Sequence, residues 1–308
     1  MATPNTQTLT TLSTENKEFY QRALLKRLTA NLVFAKYGQK KPMPKNIGDT
    51  TSFRKFNSLA PATTPLTEGV TPDGKSLSIT EIKATVKQYG DYVTISDKLD
   101  LLGIDPVLTE TVTLQGEQAG ETIDTVVRDI VCAGTNVMYV SNDGTAVQSS
   151  EVDAKITSDS ILKAVTFLRR ENVKPIEGGY YVGIIDPDIA YDLMKDPLWQ
   201  DVSKYNGGEA IIEGEVGKMH GVKFRTTTNT KVTEVAGKNV HSAMIIGRDA
   251  YGVVDVDGSI KPEVIIKGLG EGDDPLNQRQ TCGWKTLFTA KILNELAMIR
   301  LECLTTTN

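Results

Sequence analysis

The chain has 308 residues, 39% of them hydrophobic and 24% charged, with a formal net charge of −5; this fits a globular protein with a core large enough for one or two domains. No apolar run approaches the roughly 18 residues of a membrane helix. The three cysteines, Cys132, Cys282 and Cys303, lie too far apart for a metal motif or a disulfide set, and the start lacks a basic-then-apolar signal pattern, so synthesis in a reducing cytoplasm is expected.

The charge is unevenly placed. Residues 1–56 carry ten Lys and Arg against three acidic residues, roughly +7, which leaves the remainder near −12. Such asymmetry suggests an interaction arm, with Arg22, Lys26, Arg27, Lys40 and Lys41 as its cations. Two partners are open to it: nucleic acid, where Lys and Arg displace counterions, or the acidic body of a second copy. The lack of regularly interleaved aromatics favours protein. Apolar spacing of Phe19, Ala23, Leu24, Leu28, Leu32 and Phe34 predicts a helix over 17–37 with Gly38 as its stop. The run Lys40-Lys41-Pro42-Met43-Pro44 predicts an extended connector.

A long hairpin follows over 47–96. Thr50 to Phe56 lead into a tip rich in Pro, Thr and Gly, and the chain returns as a β-prone run over 77–96. About twenty residues at about 3.3 Å each reach roughly 60 Å. A globule of this length has a radius of gyration near ~19 Å. Such a hairpin protrudes, and an isolated two-stranded ribbon is marginal in water, so copies of the same chain are expected to cover it. The alternation of Leu77 and Ile79 slips before Ile82, Ala84 and Val86, which predicts a bulge near Glu81.

Asp105-Pro106 opens the longest predicted helix, with Leu108, Val112, Ala119, Ile123, Val126 and Ile130 at helical spacing and Gly134 closing it. Its Gly116 and Gly120 mark either close approach of another backbone or a locally weak helix. Asn142-Asp143-Gly144 reads as a turn and boundary. A mixed α/β region comes next: a helix over 159–172, a buried strand over 179–185, a helix capped by Asp186-Pro187-Asp188, and strands ending near Arg225 and at 243–246 and 251–254. The tail is β again, over 282–288 and 291–304.

Catalytic chemistry is scarce. His220 and His241 belong to no recognisable cluster and read as surface or loop residues. There is no Gly-x-Ser-x-Gly elbow and no phosphate-binding loop; Gly268-Leu269-Gly270-Glu271-Gly272 is acidic and reads as a flexible loop. Asp255/Asp257 and Asp273/Asp274 lack the further ligands of a calcium loop and read as turns. No cofactor, metal or catalytic residue is expected, and the protein reads as non-enzymatic.

The order of several segments carries a resemblance over most of the chain. They are Phe53-Arg54-Lys55-Phe56, Thr64-Pro65-Leu66-Thr67-Glu68-Gly69-Val70-Thr71-Pro72, Tyr89-Gly90-Asp91-Tyr92 with Ser96-Asp97, and Gly134-Thr135-Asn136. Further on come Gly214-Glu215-Val216-Gly217 with Gly221-Val222, then Asp274-Pro275-Leu276-Asn277-Gln278-Arg279-Gln280 with Gly283-Trp284-Lys285. In this the chain resembles the major capsid proteins of tailed bacteriophages, specifically the N4-like group, with the Hong Kong 97-type (HK97-like) α+β shell fold. The resemblance implies an N-terminal arm over 1–46, an extended loop over 47–96, a peripheral domain over 97–150 containing a spine helix and completed by strands over 262–308, and an axial domain over 151–261.

It also implies a structural function: self-assembly into hexamers and pentamers of an icosahedral head around double-stranded DNA. The chain would be made in the bacterial cytoplasm and reside in the virion, away from membranes. Expected partners are copies of itself, a separate scaffolding protein, a portal, a possible decoration protein and packaged DNA held non-specifically. Phe53, Arg54, Phe56, Tyr89 and Tyr92 are the candidate interface residues of the hairpin, since aromatics carry large buried areas; for the aromatics, packing within the subunit is the competing reading. The rival functions are an encapsulin-like compartment shell of the same fold, a soluble α/β enzyme or binding domain, and a tail-tube or decoration subunit.

Overall fold

The computed structural model describes residues 24, 32–44, 48–57, 59–66, 68–71, 73–102, 106–199, 215–256, 262–269 and 274–306. They form a mixed α+β structure in which a short helix, α2 (Asp97–Leu102), precedes one long helix, α3 (Val107–Cys132), that lies between two sheets.

The chain enters through α1 (Phe34–Tyr37) and β1 (Gln39–Met43). The helix expected to run unbroken to Tyr37 is interrupted, because Leu32 and Val33 are non-helical. The reason is a tertiary contact: the backbone N–H groups of Val33 and Ala35 donate to the Asp124 carboxylate instead of continuing a helical ladder. The expected connector over 40–44 is also more than extended, since β1 pairs in parallel with β11 (Tyr251–Val256), from Gln39 opposite Gly252 to Met43 opposite Val256. Pro42 is tolerated there because β1 is an edge strand, where a missing donor is harmless.

The first sheet has five strands, ordered β1-β11-β13-β12 with β4 also on β13. β13 (Arg279–Ile292) is its backbone, pairing with β4 (Lys87–Ser96) over ten positions on one edge and with β12 (Glu263–Lys267) and β11 on the other. The tail strand expected as two pieces split near residue 290 is thus one strand of 14 residues, followed by a turn and β14 (Met298–Cys303). Gln280, Cys282, Trp284, Thr286, Phe288 and Ala290 are buried at every second position, the period of a strand with one covered face. That cover is α3. Gln115 donates to the Cys282 carbonyl at 2.8 Å, and Trp284 Nε1 donates to Gln118 Oε1 at 3.2 Å.

The second sheet has seven strands, ordered β5-β14-β10-β6-β8-β7 with β9 on β10. Its other members are β5 (Val137–Tyr139), β6 (Tyr181–Ile185), β7 (Glu215–Met219), β8 (Val222–Thr226), β9 (Val232–Val235) and β10 (Lys238–Ile246). Both faces are covered, so β6 is buried throughout. Val182, Ile184, Met244 and Ile246 turn toward α3, whereas Tyr181, Ile185, Ala243 and Ile245 turn toward α4 (Ser158–Arg170) and α5 (Pro187–Lys195). Burying each such aliphatic side chain stabilises the fold by about 1.5–3 kcal/mol.

Local signals were realised with shifts. α4 starts at Thr157, whose hydroxyl accepts from Ser160 in a capping box. Asp186 caps α5, accepting from Ile189 N–H at 2.7 Å. Between β7 and β8, His220 (φ 49°) and Gly221 (φ 84°) make a two-residue turn in which both residues take the left-handed conformation. α3 begins after Pro106, which stands at the cap position without a side-chain cap bond, and ends before Ala133; Asp105, expected as its cap, lies outside the described residues. Gly116 has its reason in packing, since a Cβ there would sit 2.7 Å from the carbonyl oxygen of Leu24.

The sheets do not follow the expected boundaries at 150/151 and 261/262. β5 and the final strand β14 belong to the seven-stranded sheet, and β11 belongs to the five-stranded one. Residues distant in sequence share a sheet because β14 is the natural neighbour of β10 across six antiparallel pairs.

Candidate assembly interface

A hairpin is present but shorter than the expected 47–96 ribbon, because the lower half of its return leg, residues 87–96, runs as β4 in the five-stranded sheet, paired with β13. β2 (Thr50–Phe56) and β3 (Ile79–Thr85) pair antiparallel from Thr50↔Thr85 to Phe56↔Ile79 without a register shift. The bulge expected near Glu81 is therefore absent, and the return strand breaks instead at Val86, where it passes from β3 into β4 of a different sheet. The hydrophobic slip that suggested a bulge has another cause. Directly opposed residues share a face, so Phe53, Ile82 and Ala84 lie on one face and Phe56 and Ile79 on the other.

The first face is covered by the chain itself. Phe53 and Ala84 are buried with Met43 and Val254, and partly buried Ile82 packs against them. The Phe53 ring lies on Gly252, where a Cβ would meet its Cζ at 2.4 Å. Lys41 reaches the same spot, donating from Nζ to the Ser52 carbonyl with its ammonium 5.2 Å from the Phe53 ring centroid. The second face has no cover among the described residues. Phe56 is 64% exposed and Ile79 52%. The tip carries on in the same way, with Leu59, Leu66, Val70 and Leu77 all exposed. Polar bonds alone hold its base: Asn57 N–H to the Ser78 carbonyl at 3.0 Å, Asn57 Nδ2 to Ser78 Oγ at 3.0 Å, and Thr80 Oγ1 to Asn57 Oδ1 at 3.2 Å.

Among the described residues, the five-stranded sheet also leaves its face opposite α3 largely open beyond the Phe53 contact. Cross-strand register puts Tyr92 opposite Gly283, with Ile265 on the other side of that glycine. Tyr92 is 69% exposed, and with Thr94, Lys267, Arg279 and Thr281 it lines a shallow concavity. Arg279 is held by Asp274 at 3.5 Å, and that carboxylate also accepts from Gln278 N–H at 2.9 Å. Asp274 is thus a loop-ordering group; its neighbour Asp273 lies outside the described residues.

The expected interface residues separate into two groups. Arg54, Phe56 and Tyr92 are exposed and available to a second copy. Phe53 and Tyr89 pack inside the subunit, Tyr89 against Phe288 with ring centroids 4.8 Å apart. Among the arm cations, Lys40 is exposed on β1, while Lys41 is committed to the hairpin base and is no free arm charge. Arg22, Lys26 and Arg27 lie outside the described residues. The exposed tip leucines Leu59, Leu66 and Leu77 were not among the expected interface residues, although their place between prolines and glycines was a visible signal.

One correction concerns the histidines. His241 is buried in β10 rather than at the surface, its Nδ1 bonded to the Asp186 carboxylate and its Nε2 3.4 Å from Thr305 Oγ1. Asp186, Asp188 and His241 bring ligand-capable atoms within 4.8 Å of one another. Asp186 already serves as helix cap and histidine partner, so the fold accounts for its placement. His220 is half-buried, its Nε2 2.7 Å from Ser158 Oγ. Burial raises the thiols of Cys132 and Cys282 to about 11 and raises Cys303 further, which leaves all three as inert apolar side chains.

Comparison with known proteins converges on one family. A family model described as phage capsid protein matches residues 79–301. No curated protein matches. Among solved structures, the chain is similar to the capsid of cyanophage P-SCSP1u, with a TM-score of 0.67 at 16% identity over 89% of each chain. It is similar to the cyanophage Pam1 capsid, with a TM-score of 0.67 at 15% identity over 92% of this chain and 93% of that one. A virus-like particle from Pyrococcus furiosus matches with a TM-score of 0.53 at 14% identity, over 92% of this chain and 98% of that one. The matches are to the family as a whole and do not single out the N4-like group. The chain belongs to the phage capsid protein family, and it is a viral major capsid protein with the HK97-like fold.

Proposed function

We propose that copies of this chain assemble through the hairpin into hexamers and pentamers of a closed icosahedral head around double-stranded DNA. The observation that carries this is the uncovered outer face of the hairpin, where Phe56, Ile79 and the tip leucines point away from their own subunit. A head-to-tail contact that closes makes rings, and exposed apolar surface of this extent marks an interaction site. The face of the five-stranded sheet around Tyr92 is the acceptor that fits a neighbour's hairpin: shallow, partly apolar and uncovered among the described residues. The role is structural, without catalysis. A separate scaffolding protein, a portal, a possible decoration protein and non-specific DNA contacts belong to the same reading, with synthesis in the bacterial cytoplasm.

Deleting residues 59–74 tests it. Soluble subunits that form no shells by negative-stain microscopy are expected, and normal particles from the deletion overturn the reading. A second reading, a protein compartment of the same fold, is favoured by the similarity to the Pyrococcus furiosus particle. Nucleic acid in purified particles from infected cells separates the two.

A further inference from the structure

The root of the N-terminal arm hangs from one buried carboxylate. Asp124 is 0% exposed in the middle of α3. Its Oδ1 accepts from Val33 N–H at 2.9 Å and from Ala35 N–H at 3.2 Å, residues 91 and 89 positions away in sequence. Its Oδ2 accepts from Asn229 Nδ2 at 3.4 Å. α1 is only four residues long, too short to persist alone. The first amides of a helix lack intrahelical partners and favour negative charge, and the Val33 side chain supplies no cap bond. Asp124 therefore serves as a cap delivered from another helix.

Other contacts complete the clip. Tyr251 OH donates to the Phe34 carbonyl. Gly38 lets the chain pass the Tyr251 and Val253 side chains, which a Cβ would approach to 2.8 and 2.6 Å, and Gly116 lets Leu24 lie against α3. Asn229, between β8 and β9 of the seven-stranded sheet, accepts in turn from Arg128 Nη1 at 2.6 Å and from Thr125 Oγ1 at 3.2 Å. Arm root, spine helix and second sheet thus meet at Asp124.

We propose that Asp124 is the positioning residue of the arm root: by capping α1 it fixes how residues 33–38 lie against α3 and enter β1. The consequence for assembly rests on the shell reading above. Hydrogen exchange on unassembled full-length subunits tests the clip, and particle yield tests its consequence. In Asp124→Leu, protection of the Val33 and Ala35 amides should fall about tenfold or more, because two buried donors lose a charged acceptor, while α4 amides stay within about twofold. Asp124→Asn keeps an acceptor oxygen of the same shape and should retain most of the protection and form particles, whereas Asp124→Leu should form none. Unchanged protection in Asp124→Leu, or its loss with undiminished particle yield, overturns the proposal. Should Asp124→Leu fail to fold, Asn229→Ala carries the test: a partial loss confined to those two amides supports it, and no loss or a uniform loss refutes it. A wild-type chain that forms no particles counts against the shell reading and leaves the clip to be decided by exchange alone.

Discussion

Phe53→Ala should free the hairpin from the body without melting the body. Phe53 is 6% exposed and sits in a small satellite cluster with Met43, Ala84 and Val254, separate from the two main cores. Truncating a buried Phe to Ala costs about 3–5 kcal/mol. The lower end applies, because a surface cluster collapses more easily than a core, and the lost Lys41 contact with the ring adds about 0.5–1 kcal/mol. Together about 3.5–4 kcal/mol corresponds to a shift of several hundredfold in the docked-to-free ratio. Hydrogen exchange should show β2 and β3 losing protection by that order, with β6 and α4 unchanged. Gly252→Ala attacks the same contact from below, since its Cβ would meet Phe53 Cζ at 2.4 Å. It should loosen the hairpin in the native background and be close to neutral in Phe53→Ala, where the space is empty, giving a clear coupling in a double-mutant cycle. Unaltered hairpin protection in Phe53→Ala, or additive effects of the two changes, would refute the reasoning.

Three other outcomes are expected. Phe56→Ser with Ile79→Ser should leave subunit stability within about 0.5 kcal/mol, as exposed substitutions do, yet reduce particle formation severely; a large drop in denaturant midpoint with normal particles contradicts it. Burial raises the Asp124 pKa against the opposing effect of its backbone N–H bonds, so the folded state binds the proton more tightly than the unfolded chain, and this contribution to stability is present at low pH and lost as pH rises through the folded pKa. The stability of Asp124→Asn relative to wild type should therefore increase from acid toward neutral pH in chemical denaturation, and a flat or falling difference would count against it. Cys132, Cys282 and Cys303 are buried with raised thiol pKa values, so a thiol reagent should label none in native subunits at pH 8 and all three in denaturant; rapid native labelling of any one is the contrary result.

What could be read from the chain was the part with local causes. The hairpin announced itself through β-prone runs around a Pro- and Gly-rich tip, and α5 through Asp186-Pro187. The slip between Ile79 and Ile82 was visible but ambiguous, because a bulge and a change in which face is covered write the same pattern. β1 was hidden by Lys40, Lys41 and Pro42, which look like a linker until β11 lies beside them. His241 looked like a surface residue because its partner, Asp186, stands 55 positions away. Asp124 was invisible for the same reason: a carboxylate in a helix reads as solvated until the arm root covers it. Of the interface aromatics, sequence could not divide Phe53 and Tyr89 from Phe56 and Tyr92, since the division depends on strand parity relative to a body set by long-range pairing.

The most direct measurement is a cryo-electron microscopy reconstruction of particles formed by the wild-type chain. Phe56, Ile79 and the tip leucines should be buried against an adjacent copy, with the five-stranded sheet around Tyr92 as their floor. Closed particles in which those side chains face solvent, or a chain that stays monomeric with its hairpin folded back on itself, would contradict the account.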